Sequence, residues 1–103
     1  NIAAEPINPA TLDAMESIGI PRTAINPCYG LAETCAYVTS CVGEEVTIVD
    51  GAVSCGLLDR IATYNKYVVV TDEHNRLVED GEIGEIHIRG PDLASGYWGR
   101  PDL

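Results

Sequence analysis

One run of residues, Pro27-Cys28-Tyr29-Gly30-Leu31-Ala32-Glu33, brings an aromatic ring, a glycine and a carboxylate within a few positions of one another. A tyrosine offers a flat apolar face for a planar ring. Glycine lets the backbone turn sharply where other residues resist. A glutamate carboxylate is a hard oxygen ligand suited to Mg2+. Each has a plainer role as well. Glu33 can be an acid in the first turn of a helix, stabilising its dipole. Tyr29 can be a partly buried residue at a strand end, and Gly30 a simple turn glycine. Cys28 adjoins the run without a paired histidine, so no thiol nucleophile is assigned.

The elements that must position this run are legible around it. Asn8 followed by Pro9 is a helix start, with a side-chain cap and then a proline where no N–H is needed. Leu12, Met15 and Ile18 follow at helical spacing, and Gly19 stands where a C-cap belongs, which predicts a helix over 9–18. Thr23-Ala24-Ile25-Asn26 reads as a short buried strand ended by Pro27. Cys28-Tyr29-Gly30 makes a turn, and residues 31–36 start a second helix before the β-prone Tyr37-Val38-Thr39-Ser40. Strand, glycine turn and helix start, in that order, form the usual ligand-site geometry of an α/β fold.

The second half changes character. Residues 46–49 and 66–71 are strand candidates, and Asp72-Glu73-His74-Asn75 is turn-like. Ile86 and Ile88 alternate with Glu85, His87 and Arg89, which predicts a half-buried strand pairing as an antiparallel hairpin with residues 68–72. Gly90-Pro91, Gly96, Gly99 and Pro101 mark tightly turned backbone beyond it. The organisation is an α/β part over residues 1–50 and a β-rich part over 51–103, joined near 51–56.

Composition narrows the functions. Apolar residues make up 46% of the 103 positions, too many for a disordered tail. Sixteen acids against six bases give a net charge of −10, so nucleic acid binding has little electrostatic support. The acidity reads as solubility. An anionic ligand would then need local help from a helix N-terminus, Mg2+ or bases outside this chain. No apolar run in these 103 residues is long enough to cross a bilayer, and no secretory leader is expected from them. Cys28, Cys35, Cys41 and Cys55 form no Cys-x-x-Cys pair and have no histidines at zinc spacing, so free thiols in a reducing cytoplasm are expected. The chain opens on Asn1 without an initiator Met and closes on Arg100-Pro101-Asp102-Leu103, the pattern expected of a piece of a longer protein.

Three segments together resemble the adenylate-forming (AMP-binding) superfamily: acyl-CoA synthetases, fatty acyl-AMP ligases, luciferases and peptide-synthetase adenylation domains. They are Ala4-Glu5-Pro6, then Tyr29-Gly30-Leu31-Ala32-Glu33, then Asp80-Gly81-Glu82-Ile83-Gly84-Glu85-Ile86-His87-Ile88-Arg89-Gly90-Pro91 with Ala94-Ser95-Gly96-Tyr97-Trp98. Pro27 before the tyrosine, Ala32, and Ser54-Cys55-Gly56 lean toward the fatty acyl-AMP ligases. The resemblance implies an α/β fold: the C-terminal part of the large N-terminal domain, a parallel-sheet edge followed by a β-hairpin or barrel-like subdomain. It implies ATP and Mg2+ as cofactors and a fatty or other carboxylic acid as substrate. It also implies an acyl-adenylate product passed to the thiol of an acyl carrier protein or of CoA.

By the same resemblance, Glu33 helps hold Mg2+ at the phosphates and is the candidate catalytic residue. Tyr29 packs on the adenine, the loop Ala4-Glu5-Pro6 runs along the base edge, and Cys28, Gly30, Leu31 and Ala32 complete the nucleotide contacts. Two positions depart from the pattern. The family has a small residue where Ile2 and Ala3 stand, and many relatives carry Thr at Ala32, whose side chain has no hydrogen-bond donor. These departures keep a non-catalytic, adenylation-like binding module as an alternative beside the acyl-CoA synthetase reading. The hairpin glycines, Tyr97 and Trp98 read as structural. The family's phosphate loop, ribose aspartate and catalytic lysine have no counterpart here, so the isolated chain is expected to be inactive.

Overall fold

The computed structural model describes residues 1–58, 61 and 65–102. The chain divides into two compact units, Asn1–Leu57 and Leu58–Leu103.

The first unit is organised by one helix, α1 (Pro9–Ser17). The Asn8 side chain accepts from the Ala10 amide at 2.9 Å, and Pro9 follows at the first helical position, as the sequence predicts. Leu12 is fully buried and clusters with Ile25 and Val46, with Ile2, Ile7, Met15 and Val53 packed around them. Ile18 does not continue the buried stripe. The helix has already ended, Gly19 lies in the left-handed region at φ 92°, and Ile18 is 75% exposed. Arg22 reaches back to α1, pairing with Asp13 and, at 3.0 Å, with Glu16.

Two expectations are corrected here. Thr23-Ala24-Ile25-Asn26 is not a strand. Arg22–Ala24 forms a single 3-10 turn after Pro21, closed by Ala24 N–H donating to the Pro21 carbonyl at 2.9 Å and Ile25 N–H to Arg22 at 3.0 Å. Local turn bonds outcompete β propensity where no strand lies alongside. The second helix also does not form. Residues Ala32–Thr34 make one 3-10 turn that ends with Cys35 in the left-handed conformation. A turn of this length has no appreciable dipole, so helix-terminus help for an anion is withdrawn.

Strand β1 (Cys28–Tyr29) pairs antiparallel with β2 (Thr39–Ser40). Ile2 bridges Pro27 in parallel: its N–H donates to the Asn26 carbonyl and its own carbonyl accepts from Cys28 N–H, both at 3.0 Å. This bridge is the parallel pairing found among the described residues. Strands β3 (Ile48–Val49) and β4 (Ala52–Val53) make a second antiparallel pair, from which Val53 reaches the Leu12 cluster.

In the second unit, β5 (Tyr67–Thr71) and β6 (Glu85–Arg89) form the hairpin the alternation predicts, with Val68 opposite Ile88 and Val70 opposite Ile86. Gly84 is obligatory at its corner, since a Cβ there would lie 2.4 Å from the Thr71 carbonyl oxygen. The far end of the hairpin is closed by the buried Lys66, whose Nζ pairs with Asp92 at 2.5 Å. The turn after β5 is built on Asp72. Its carboxylate accepts from the amides of His74 (2.8 Å) and Arg76 (3.0 Å) and from the Arg76 guanidinium (2.7–2.8 Å).

Those bonds favour the charged form, the Arg76 amide foremost, and hold the Asp72 carboxyl below the usual carboxylate range. A lowered folded value means its contribution is present above the ordinary aspartate pKa of about 3.9 and lost as pH falls through the lowered value. Amide exchange at His74 and Arg76 is therefore expected to stay slow on descending to that range and to accelerate below it. An exchange rate that accelerates well above it would count against this account.

Candidate functional site

A cleft of about 350 Å³ in the first unit is lined by Ala4, Glu5, Pro6, Cys28, Tyr29, Gly30 and Leu31. That is near the lower end of ligand-pocket sizes, roughly 300–1,000 Å³. The two stretches meet because the Ile2–Pro27 bridge ties the chain just before Ala4 to the chain just before Cys28. Ala4 itself has φ 81°, a left-handed conformation uncommon for a residue with a side chain.

Residues 29–38 close on themselves. Val38 N–H donates to the Tyr29 carbonyl at 2.8 Å, joining the ends. Within the loop, Ala36 N–H donates to the Leu31 carbonyl at 2.7 Å and Cys35 N–H to Ala32 at 3.2 Å. Cys35 and Ala36 are successive left-handed residues, at φ 53° and 64°. This double reversal drives the Ala36 carbonyl onto Gly30, where a Cβ would come within 2.2 Å of the oxygen. Gly30 is thus required by close approach of the loop, which adds a cause to the bend expected from sequence.

Of the nine candidate residues, seven line the cleft. Ala32 and Glu33 do not; they sit on the 3-10 turn that follows Leu31, with Ala32 exposed and Glu33 half-buried. Ile2 is turned into the Leu12–Ile25–Val46 cluster and is absent from the cleft lining, so its bulk does not crowd the site.

Thr34 was not singled out from sequence. Its side chain is buried, with the residue 1% exposed, and its hydroxyl both accepts from Leu31 N–H (3.2 Å) and donates to the Leu31 carbonyl (3.0 Å). A threonine three residues after the start of a short turn is the available signal, since such side chains bond back to nearby backbone.

Three of the four thiols, Cys28, Cys41 and Cys55, are poorly disposed to react, whereas Cys35 is exposed. Cys28 is buried and its Sγ donates to the Ile2 carbonyl at 3.6 Å. Cys41 donates to the Ser54 carbonyl at 3.2 Å. Burial pushes the Cys41 and Cys55 thiols up, which keeps them protonated.

The lining offers a flat apolar contact for a ring and nothing that complements phosphate. Tyr29 supplies an aromatic face, and the Ala4-Glu5-Pro6 loop supplies mainly backbone. Glu5 is the acid in the lining, and no base accompanies it. Phosphates therefore need a cation or bases from elsewhere. Among the described residues no three metal-ligating side chains converge. Mg2+ does not require such a cage, being commonly held by one or two carboxylates together with substrate phosphates and water. Glu33, the carboxylate expected in that role from sequence, lies on the turn that follows the cleft lining and is not part of it.

Comparison with known proteins bears on the family of the chain. The family model described as AMP-binding enzyme matches residues 2–98. The chain is 31% identical to the long-chain-fatty-acid–AMP ligase FadD32 of Mycolicibacterium smegmatis, over 96% of this chain and 20% of that protein. It is 54% identical to the medium/long-chain-fatty-acid–CoA ligase FadD8 of Mycobacterium tuberculosis over a 35-residue stretch, 34% of this chain and 6% of that one. A solved structure from a study of fatty acyl-adenylate ligases of E. coli and L. pneumophila has a TM-score of 0.74 at 24% identity. It covers 95% of this chain and 22% of its own, a likeness of fold. The chain spans about a fifth of the length of the FadD32 ligases it matches. The resemblance carried by the three sequence segments is therefore borne out: the chain belongs to the AMP-binding enzyme family.

Proposed function

We propose that this chain forms one wall of the nucleotide site of an ATP-dependent, acid-activating ligase. In the full-length protein that ligase makes a fatty acyl-adenylate and passes the acyl group to a carrier-protein thiol. The observation that carries the reading is the cleft itself. It brings Ala4-Glu5-Pro6 and Cys28-Tyr29-Gly30-Leu31, remote in sequence, around one volume. Family membership and the fatty-acid–AMP ligase relatives support the same chemistry.

The reaction sets a carboxylate against the α-phosphate of ATP, so like charge is the obstacle. When bound, Mg2+ supplies positive charge against the phosphates. The chain's own residues bind and orient. Tyr29 lies against the adenine, and the backbone of Ala4-Glu5-Pro6 runs along the base edge. Gly30 and Leu31 shape the floor, Cys28 fills behind them, and Ala32 leaves the turn without a side-chain donor. Glu33 offers its carboxylate to the metal. The proposed compartment is the cytoplasm. No helix among the described residues is long and apolar enough to cross a membrane.

A second reading, an acyl-CoA ligase, is favoured by the 54% match to the CoA ligase FadD8. One experiment decides. The full-length protein is expected to release pyrophosphate from ATP only when a fatty acid is present, and to transfer the acyl group to a carrier protein and not to CoA. Transfer to CoA selects the second reading. No acid-dependent pyrophosphate release sinks both. The 103-residue chain alone, a fifth of the length of these relatives, is expected to form no acyl hydroxamate from ATP, acid and hydroxylamine.

A further inference from the structure

We infer that the hairpin of the second unit carries a binding pocket of its own, for a small organic monoanion with a flat apolar body, such as an aromatic monocarboxylate. The register sets Tyr67 opposite Arg89 and Val69 opposite His87. Directly opposed residues of a sheet share a face, so these four side chains stand together. The same four, with Ile88, line a pocket of about 300 Å³. That is the low end of the range for small-molecule sites. Its apolar wall is left open to solvent: Tyr67 is 56% exposed and Val69 41%. Neither Tyr67 nor Arg89 belongs to the cleft of the first unit, so this pocket stands or falls apart from the function proposed there.

Charge is the second observation. The chain has 16 acids for six bases, so a base finds a carboxylate readily. Arg22 pairs with Asp13 and Glu16, Lys66 with Asp92, Arg76 with Asp72, and Arg100 with Asp102. Among the described residues, the Arg89 guanidinium has no ion-pair partner. It stands instead beside an exposed aromatic ring, open to an anion from outside. A guanidinium receives a carboxylate through two parallel N–H···O bonds. Tyr67 supplies a flat apolar surface for the body of such a ligand, and Val69 extends it. His87 adds a ring N–H. Glu85 stands on the same face, opposite Thr71, and the chain as a whole is at −10, so a dianion meets more repulsion here than a monoanion.

The test uses the full-length protein with 2-naphthoate as the probe and 2-naphthamide as its neutral counterpart. Hydrogen exchange read by mass spectrometry follows the peptides spanning residues 67–71 and 85–89. In the wild type, 2-naphthoate should slow exchange in both peptides, and saturably. Arg89→Gln should raise the half-saturating concentration at least about tenfold, the scale of losing a charge-assisted hydrogen bond. The amide probe should bind the wild type about as weakly, and Tyr67→Ser should weaken the carboxylate probe by removing the ring. Both substituted positions are exposed. If Arg89→Gln does not fold, Arg89→Lys, which keeps the charge and loses the fork, takes its place and should also bind more weakly than wild type. Equal binding of 2-naphthoate and 2-naphthamide, equal binding in wild type and the Arg89 variant, or no saturable protection of the two peptides overturns the inference. Sulfate competing as well as 2-naphthoate also overturns it, because the apolar wall then adds nothing.

Discussion

Replacing Glu33 with alanine in the full-length protein is expected to cut fatty-acid-dependent pyrophosphate release by at least about a hundredfold, the scale seen when one contact to transition-state charge is removed. The argument is electrostatic. The cleft lining contains no base, and its acid, Glu5, repels phosphate. On the proposed reading, the polyphosphate is neutralised by a cation or by bases from elsewhere, and a cation needs an oxygen ligand near the cleft. Glu33 is the carboxylate on the turn that continues from the lining residue Leu31, and it is half-buried. The loss should appear in kcat more than in the KM for the fatty acid, because the contact serves the charged reaction centre. Near-normal turnover would remove Glu33 from the site, and the cleft would then need another source of positive charge.

The second large effect is on the loop. Gly30→Ala is expected to destabilise the first unit by about 3 kcal/mol or more, at or above the usual cost of overpacking. The added Cβ would meet the Ala36 carbonyl oxygen at 2.2 Å, and both partners are backbone. No rotamer change relieves that contact; the closure of residues 29–38 has to open. Gly43 provides the comparison. It has φ 76° with nothing within 4 Å of the added atom, so Gly43→Ala should cost only the backbone penalty, on the order of 1 kcal/mol. Urea unfolding of the two variants measures the difference. Equal midpoints would mean that the loop does not press on Gly30 in solution.

The helix was legible because its signals are local. A capping asparagine, a proline at the first position and a buried Leu12 need no partner to be recognised. The hairpin was legible for a similar reason: Ile86 and Ile88 alternate with polar neighbours, and the observed register sets them against Val70 and Val68. Local propensity misled at 23–26 and 31–36. Whether Ile25 extends a strand depends on what lies beside it, and the chain alongside is Ile2, which bonds Asn26 and Cys28 instead. Whether Leu31 to Ala36 continues as a helix depends on the Thr34 hydroxyl and on room for the Ala36 carbonyl at Gly30.

By itself, then, the sequence determined to which family the chain belongs and which residues are candidates for a nucleotide site, because motifs are strings of side chains in order. Tertiary structure alone decided which of them share a surface. The Ile2–Pro27 bridge brings residues 4–6 to residues 28–31, turns Ile2 into the core, and leaves Glu33 on the next turn, outside the cleft lining. The physical reason is that a contact between segments more than 20 residues apart depends on hydrogen bonds and packing that close the intervening chain, and no local pattern encodes that closure.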